Sequence, residues 1–182
     1  MKYSIKTLPA LLLLLCLATI SRAQYKPVAQ GSELKFTIKN LGFDVAGSFA
    51  GFEGNISFDE QNIMGSSFDV TINAATVNTD NSLRDEHLRG ENYFNVQAYP
   101  KIRLASEKVT MLNKSGTYRL SGKLTMKGVT KPVSFPFTAV ALAGGYSFKG
   151  SFKINRRDFG IGGTSTLADE LEVNINVTAK KA

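Results

Sequence analysis

Apolar and polar residues alternate with a period of two along most of the chain after residue 33. Leu34, Phe36 and Ile38 alternate with Lys35, Thr37 and Lys39; Phe68, Val70 and Ile72 alternate with Asp69, Thr71 and Asn73. The rhythm continues through Ile102, Leu104, Val109 and Met111, and then through Tyr118, Leu120, Leu124 and Met126. Val133, Phe135 and Phe137 follow, then Tyr146, Phe148, Phe152 and Ile154, and Leu171, Val173, Ile175 and Val177 close the series. Successive side chains of a strand point to opposite faces, so this period predicts strands with one apolar face. Turn-forming residues at Asn62 to Gly65, Asn113 to Gly116, Lys127-Gly128 and Gly144-Gly145 separate the runs. The pattern predicts an all-β fold, an antiparallel barrel of about eight strands, with a two-sheet sandwich as the alternative. Such a barrel has an interior that side chains fill or that one small ligand occupies.

One stretch breaks the rhythm. Thr79 to Pro100 is helix-patterned, and Ser82 followed by Asp85 resembles a capping box. Leu83 and His87 fall four residues apart, beside Leu88, on one helical face, while Asp85 and Arg89 are spaced to pair on the outer face. A short helix over about 82–89 near the barrel mouth is the expectation. A second irregular stretch, Gly42 to Gly54, interleaves four glycines with Phe43, Phe49 and Phe52. Glycine in a strand marks a sharp bend or a close approach, so this segment is either a coiled strand at a barrel corner or one that leaves room for a ligand.

Residues 1–23 stand apart. Lys2 and Lys6 precede an apolar run from Leu8 to Ile20, and Ser21-Arg22-Ala23 offers small residues where a signal peptidase reads. The run is short of the roughly 20 residues of a membrane span. Cleavage after Ala23 leaves residues 24–182 as one domain without cysteine, exported to a periplasm or beyond and not membrane-integral. The alternative is a lipoprotein built on Cys16, but Leu13-Leu14-Leu15 are not the small residues that processing wants. Removing Lys2, Lys6 and Arg22 from 22 basic residues, against 15 acidic ones, leaves a charge of about +4. The basic residues are scattered, without the stripe that a nucleic-acid surface requires.

Candidate chemistry is sparse. One histidine and no cysteine beyond the leader make no metal-ligand cluster, and no metal or other cofactor is expected. A histidine-based triad would have to use His87, and no G-x-S-x-G elbow is present. His87 reads either as a buried helix residue satisfied by backbone or as a polar contact at a cavity mouth. Arg84 and Arg156 read either as ion-pair partners of Asp85 and Asp158 or as clamps on an anionic head group.

Several segments in order resemble the YceI-like family of exported polyisoprenoid-binding proteins. They are Gly47-Ser48-Phe49, Phe52-Glu53-Gly54, Ile56-Ser57-Phe58-Asp59, Arg84-Asp85-Glu86-His87-Leu88-Arg89, Tyr93-Phe94-Asn95-Val96 and Tyr99-Pro100, followed by Gly122 to Pro132 and Arg156 to Ile161. The resemblance implies a lipocalin-like barrel, not an enzyme, whose apolar interior holds a long isoprenoid chain. Implied ligands are polyprenyl phosphates, quinones and fatty amides or acids. This chain has Gln30 and Asn40 where many relatives carry histidine, and Arg157 where relatives usually have serine or threonine.

Together these readings predict an apolar ligand cavity lined by Phe36, Ile38, Phe43, Val45, Phe49, Phe68, Val70, Leu104, Leu120, Phe135, Phe137, Phe148 and Phe152. Asn40, Arg84, His87 and Arg156 are placed at the head-group mouth. The expected partner is a lipid with a long isoprenoid or acyl chain, held for transport or storage, with a homodimer left open. Two rivals are a packed barrel serving as a structural or stress-response interaction protein, and an enzyme acting on a lipid head group through His87 and Arg84.

Overall fold

Every alternating run forms a strand. The computed structural model describes residues 23–182; the leader up to Arg22, with Cys16, lies outside them. In chain order the elements are β1 (Gln24–Pro27), β2 (Glu33–Asn40), β3 (Phe43–Phe49), β4 (Glu53–Ser57), β5 (Ser67–Asn73), α1 (Ser82–Arg89), β6 (Lys101–Met111), β7 (Thr117–Met126), β8 (Val129–Leu142), β9 (Gly145–Asn155) and β10 (Leu167–Lys181). All neighbours pair antiparallel, in the order β1-β4-β5-β6-β7-β8-β9-β10, and β1 returns to β10, so eight strands form a closed ring. A sandwich is thereby excluded. The closing strand is short: Tyr25, Lys26 and Pro27 face Lys181, Lys180 and Ala179, while Gln24 and Tyr25 face Ser57 and Ile56.

The β2–β3 hairpin extends the wall beside β10 toward the other end. β2 pairs with β10 from Asn40 opposite Leu167 to Glu33 opposite Asn176. The outer edge of β3 meets the segment before α1 through a single bridge, Ser48 with Asn78. Below it, the Ala50 amide donates to Thr76 Oγ1 (2.9 Å) and the Asn73 amide to Ala50 O (3.2 Å). The ring is thus tightly closed at one end and seamed at the other.

Side-chain parity explains both the alternation and its one break. In β7 the even-numbered residues Tyr118, Leu120, Leu124 and Met126 are all buried. In β6 the inward phase switches from even (Ile102) to odd (Val109) across a register shift between Ser106 and Lys108, as a bulge requires. Inward residues gather into two clusters. The lower one, at the closed end, centres on Phe58, Phe68, Tyr118, Phe137 and Phe148, and the upper one includes Phe36, Phe49, Ile72, Ile102, Leu124 and Met126.

The glycine-rich β3 serves packing. A Cβ on Gly47 would sit 2.3 Å from Cζ of Phe36 on the paired strand, so this glycine makes room for that ring. At the hairpin tip Asn40 pairs with Phe43, and Leu41 (φ 50°) and Gly42 (φ 86°) form the two-residue turn. Both central residues have positive φ, the type I′ geometry that favours Asn-Gly. Leu41 is nonetheless 72% exposed. The matching turn at the same end, Lys127-Gly128, differs because Lys127 Nζ donates to Gly160 O at 2.8 Å.

Helix α1 has the expected bounds but not the expected cap or face. Asn81, one residue before Ser82, is the cap, its side chain accepting from the Arg84 amide at 3.0 Å. Leu83 is exposed and so is His87, while Asp85 is buried. The helix docks by polar bonds. Asp85 Oδ1 accepts from the Thr79 amide (2.9 Å) and the Thr79 hydroxyl (2.6 Å). Arg84 donates from Nε to Thr79 Oγ1 (2.7 Å) and from Nη2 to Thr79 O (2.6 Å). Arg89 does not pair with Asp85; it donates to Ala75 O and Val77 O.

Three outcomes follow from this packing. Leu41→Asn relieves a left-handed leucine and should raise stability by about 0.5–1 kcal/mol in chemical denaturation; a lower midpoint would mean that Leu41 makes contacts worth more than its strain. Asp85→Ala leaves two Thr79 donors unpaired and should cost about 1–3 kcal/mol, with faster proteolysis over residues 80–99 than elsewhere. Tyr118 and Tyr146 are held above the ordinary phenol value of 10.0, first by desolvation and then by Glu60. A phenol that keeps its proton more tightly when folded contributes fully below that value and loses its contribution as pH climbs through the native one. Unfolding free energy should therefore begin to fall near pH 10, in step with tyrosinate absorbance.

Candidate functional site: an apolar cavity beneath a polar vestibule

The upper cluster does not close on itself. It surrounds an apolar cavity of about 110 Å³, where one water needs about 10–15 Å³ on the same scale. Leu34, Phe36 and Ile38 of β2, Phe49 of β3, Ile72 of β5, Ile102 of β6, and Leu124 and Met126 of β7 form one side of it. Phe152 and Ile154 of β9 and Leu167, Leu171 and Val173 of β10 form the other, and Leu88, Tyr93, Phe94 and Ile161 cover it. The cover is built from α1 with the turns after it, and from the loop after β9. These two pieces are tied together, because the Gly162 amide donates to Asn92 O at 2.8 Å.

Above the cavity lies a vestibule of about 270 Å³, sharing Phe36, Ile38, Leu88, Tyr93 and Leu167 with it. Its remaining lining is mostly polar: Asn40, Thr79, Arg84, His87, Ser165 and Thr166, with Val45. Asn40 Oδ1 accepts from the Thr166 hydroxyl at 2.6 Å, which ties the hairpin tip to β10. Ser165 Oγ is buried there without a hydrogen-bond partner. Among the described residues Arg84 has no carboxylate within ion-pair range. The vestibule therefore presents a cation and an unsatisfied hydroxyl next to an apolar well.

Arg156 also touches the cavity, but it is not free to hold a head group. It is 2% exposed, and its five N–H groups all go to protein. Nε donates to Ala168 O (2.9 Å), Nη1 to Ile161 O (2.7 Å) and Gly163 O (3.1 Å), and Nη2 to Leu167 O (3.0 Å) and Asp169 Oδ1 (3.3 Å). The expected partner Asp158 is not used, and Arg157 shares Asp169 instead. Arg156 thus fixes the loop after β9 that forms one side of the cover.

The other sequence-derived residues divide by height in the barrel. Phe36, Ile38, Phe49 and Phe152 line the cavity, and Val45, Asn40, Arg84 and His87 line the vestibule. Phe68, Leu120, Phe135, Phe137 and Phe148 are buried in the lower cluster, with Val70 and Leu104 packed against it, and do not line the cavity. Phe43 shares the inward phase of β3 but sits at the hairpin tip, 78% exposed, outside both spaces. His87 is not the buried helix residue of the first reading; it is exposed at the vestibule rim. Gln30 is exposed in the turn between β1 and β2 and lines neither space. Leu34, Ile72, Ile102, Leu124 and Met126 also line the cavity and are not among the expected residues, although their inward parity is legible in the sequence. Among the described residues no group of three His, Cys, Asp or Glu could hold a metal ion, and no helix is long and apolar enough to cross a membrane.

Comparison with known proteins places this geometry in a family. A protein of the UPF0312 group from Photorhabdus laumondii is 36% identical over 169 residues, covering 87% of this chain and 86% of that protein. The crystal structure of BcnA from Burkholderia cenocepacia superposes with a TM-score of 0.77 at 25% identity, covering 82% of this chain and 96% of BcnA. A polyisoprenoid binding domain from Saccharophagus degradans, implicated in plant cell wall breakdown, shares the fold at 11% identity, with a TM-score of 0.70 over 89% of this chain and all of that domain. The model of the YceI-like domain matches residues 25–179, from within β1 to within β10, and the chain belongs to the YceI-like family.

Proposed function

We propose that this protein binds a single amphiphile, its isoprenoid or acyl tail in the upper cavity and its head group in the vestibule, and carries or stores it in aqueous surroundings. The observation that carries this reading is the continuity of the two spaces: five residues line both, so an apolar well opens directly into a polar antechamber. Burying a methylene contributes about 0.8 kcal/mol, so a tail alone supplies useful affinity. Arg84 and the unpartnered Ser165 hydroxyl then favour a head group that accepts hydrogen bonds or carries negative charge. The polyisoprenoid-binding relative supports a lipid as the occupant. Read with residues 1–23 as a cleavable leader, the carrier works outside the cytoplasm.

The rival packed barrel describes the lower half well, where aromatic rings fill the interior. It does not describe the upper half. Arg84 is bound to Thr79 and His87 lies at the rim, an arrangement suited to positioning a head group more than to turning one over.

Organic extraction and mass spectrometry of protein purified without detergent should return a stoichiometric amphiphile. Ile102→Phe places a larger side chain in the cavity, and should weaken binding of a fatty acid or prenol by about tenfold or more, the loss of two or three buried methylenes. Phe43→Ser, at the exposed tip, should leave that affinity unchanged. An empty extract, together with equal affinity in wild type and Ile102→Phe, would refute the reading.

A further inference from the structure

The cavity has a floor. Phe152 lines its lower end and lies flat on Phe135, with ring centroids 4.4 Å apart and planes 15° apart. Phe135 is 1% exposed and belongs to the lower cluster. Beneath this stack the Phe58 ring stands edge-on to Phe68, Tyr118, Phe137, Tyr146 and Phe148, at centroid distances of 5.1 to 6.4 Å. Edge-to-face rings at these distances pack as a solid, and a chain that entered from above would have to displace several at once.

Two measures of the space above the floor agree. On β10 the cavity wall runs from Leu167 to Val173; a register shift between Leu167 and Leu171 leaves this stretch opposite only Asn40 to Phe36 of β2. With about 3.3 Å per residue and strands tilted by about 40°, that is a depth of roughly 10 Å. An extended chain advances about 1.2 Å per bond, as the roughly 3.6 Å span of a three-bond residue requires, so this depth admits about eight chain atoms. The volume of about 110 Å³ corresponds to roughly seven to eleven water-sized groups.

We infer that the Phe135–Phe152 stack is a chain-length gauge, and that this protein selects amphiphiles whose tail runs to about eight chain atoms, such as a medium-chain acyl group or about two isoprene units. The inference rests on the reading that the cavity takes an apolar tail. Carbons beyond the gauge stay in the vestibule or in water, where they replace no water-exposed surface and add no affinity. Phe152 is then a specificity-determining residue, although it meets only the tail's end.

The test is a length series on the full protein stripped of lipid, with fatty acids of about four to twenty carbons titrated calorimetrically below their micelle concentrations. The dissociation constant should tighten about fourfold per methylene, then level off or weaken beyond about eight carbons. A matching series of prenols should break at about two isoprene units. Tightening that continues at the same factor to the longest chains would overturn the gauge and leave the lipid-binding reading standing. Folded protein that binds no length would overturn both. Phe152→Ala removes the upper ring of the floor and should move the break to longer chains by about three or four carbons, the depth of one ring on the same scale. A break that stays in place would take the gauge away from Phe152. Phe152→Leu repeats the measurement if the alanine variant does not fold, and the wild-type series decides the length limit in either case.

Discussion

The architecture depends on the hydrogen bonding of one strand. β10 is 15 residues long and pairs with β9 along one edge over most of its length. Its other edge is shared: β2 takes the stretch up to Asn176 and β1 takes Ala179 to Lys181. The turn between them is held to that same edge, where the Val28 amide donates to Thr178 O and the Ser32 hydroxyl accepts from the Thr178 amide. Without the β1 segment the sheet would be open, with β4 as an unpaired edge. With it, every strand of the lower half has two neighbours, and the interior there is sealed on all sides.

From that constraint the two halves acquire different characters. The lower half is closed by backbone ladders all round, and its inward positions carry large rings that meet in the middle. The upper half is walled on one side by the β2–β3 hairpin, whose far edge is bonded to the rest at a single bridge. The cover over it is held by side chains acting on backbone: Arg84 and Asp85 on Thr79, Arg89 on Ala75 and Val77, and Arg156 on four carbonyls. Inward side chains here are smaller and more often aliphatic, and the space they leave is the cavity. A full base and a hollow top thus come from the same alternating pattern, through the sizes of residues at equivalent positions.

Much of this was legible in the sequence, and the misses have physical causes. Alternation found the strands, and the even-to-odd switch between Leu104 and Val109 carried the bulge of β6 in plain view. The bounds of α1 also followed from its pattern. Its orientation did not, because periodicity assumes that a helix docks by its apolar residues, and this one docks by Arg84, Asp85 and Arg89 while Leu83 faces out. Parity tells whether a residue points inward, but not how high it stands. Phe36 and Phe137 have the same phase, yet one lines the cavity and the other lies in the aromatic base. Phe43 is inward by phase, but it lies beyond the rim. Arg156 was beyond reach of any spacing rule, since its partners are carbonyls whose convergence exists only after the loop has folded around them.

The position of the single-bridge seam bears on how the protein can move without harm. Unpaired strand edges invite pairing with other chains, and an open barrel offers two. Here the bonds that can be released cheaply are those of the cover and of the Ser48–Asn78 bridge, while the ladders of β1 lie at the opposite end. Parts of a fold held by few bonds open locally at free energies well below that of global unfolding. A mouth that loosens in this way exposes the outer edge of β3, which is seven residues long and carries the charged Asp44, and leaves the ladders that β9 and β1 form with β10 in place. The molecule can loosen at its top while the ladders of β1 hold the ring shut at its base.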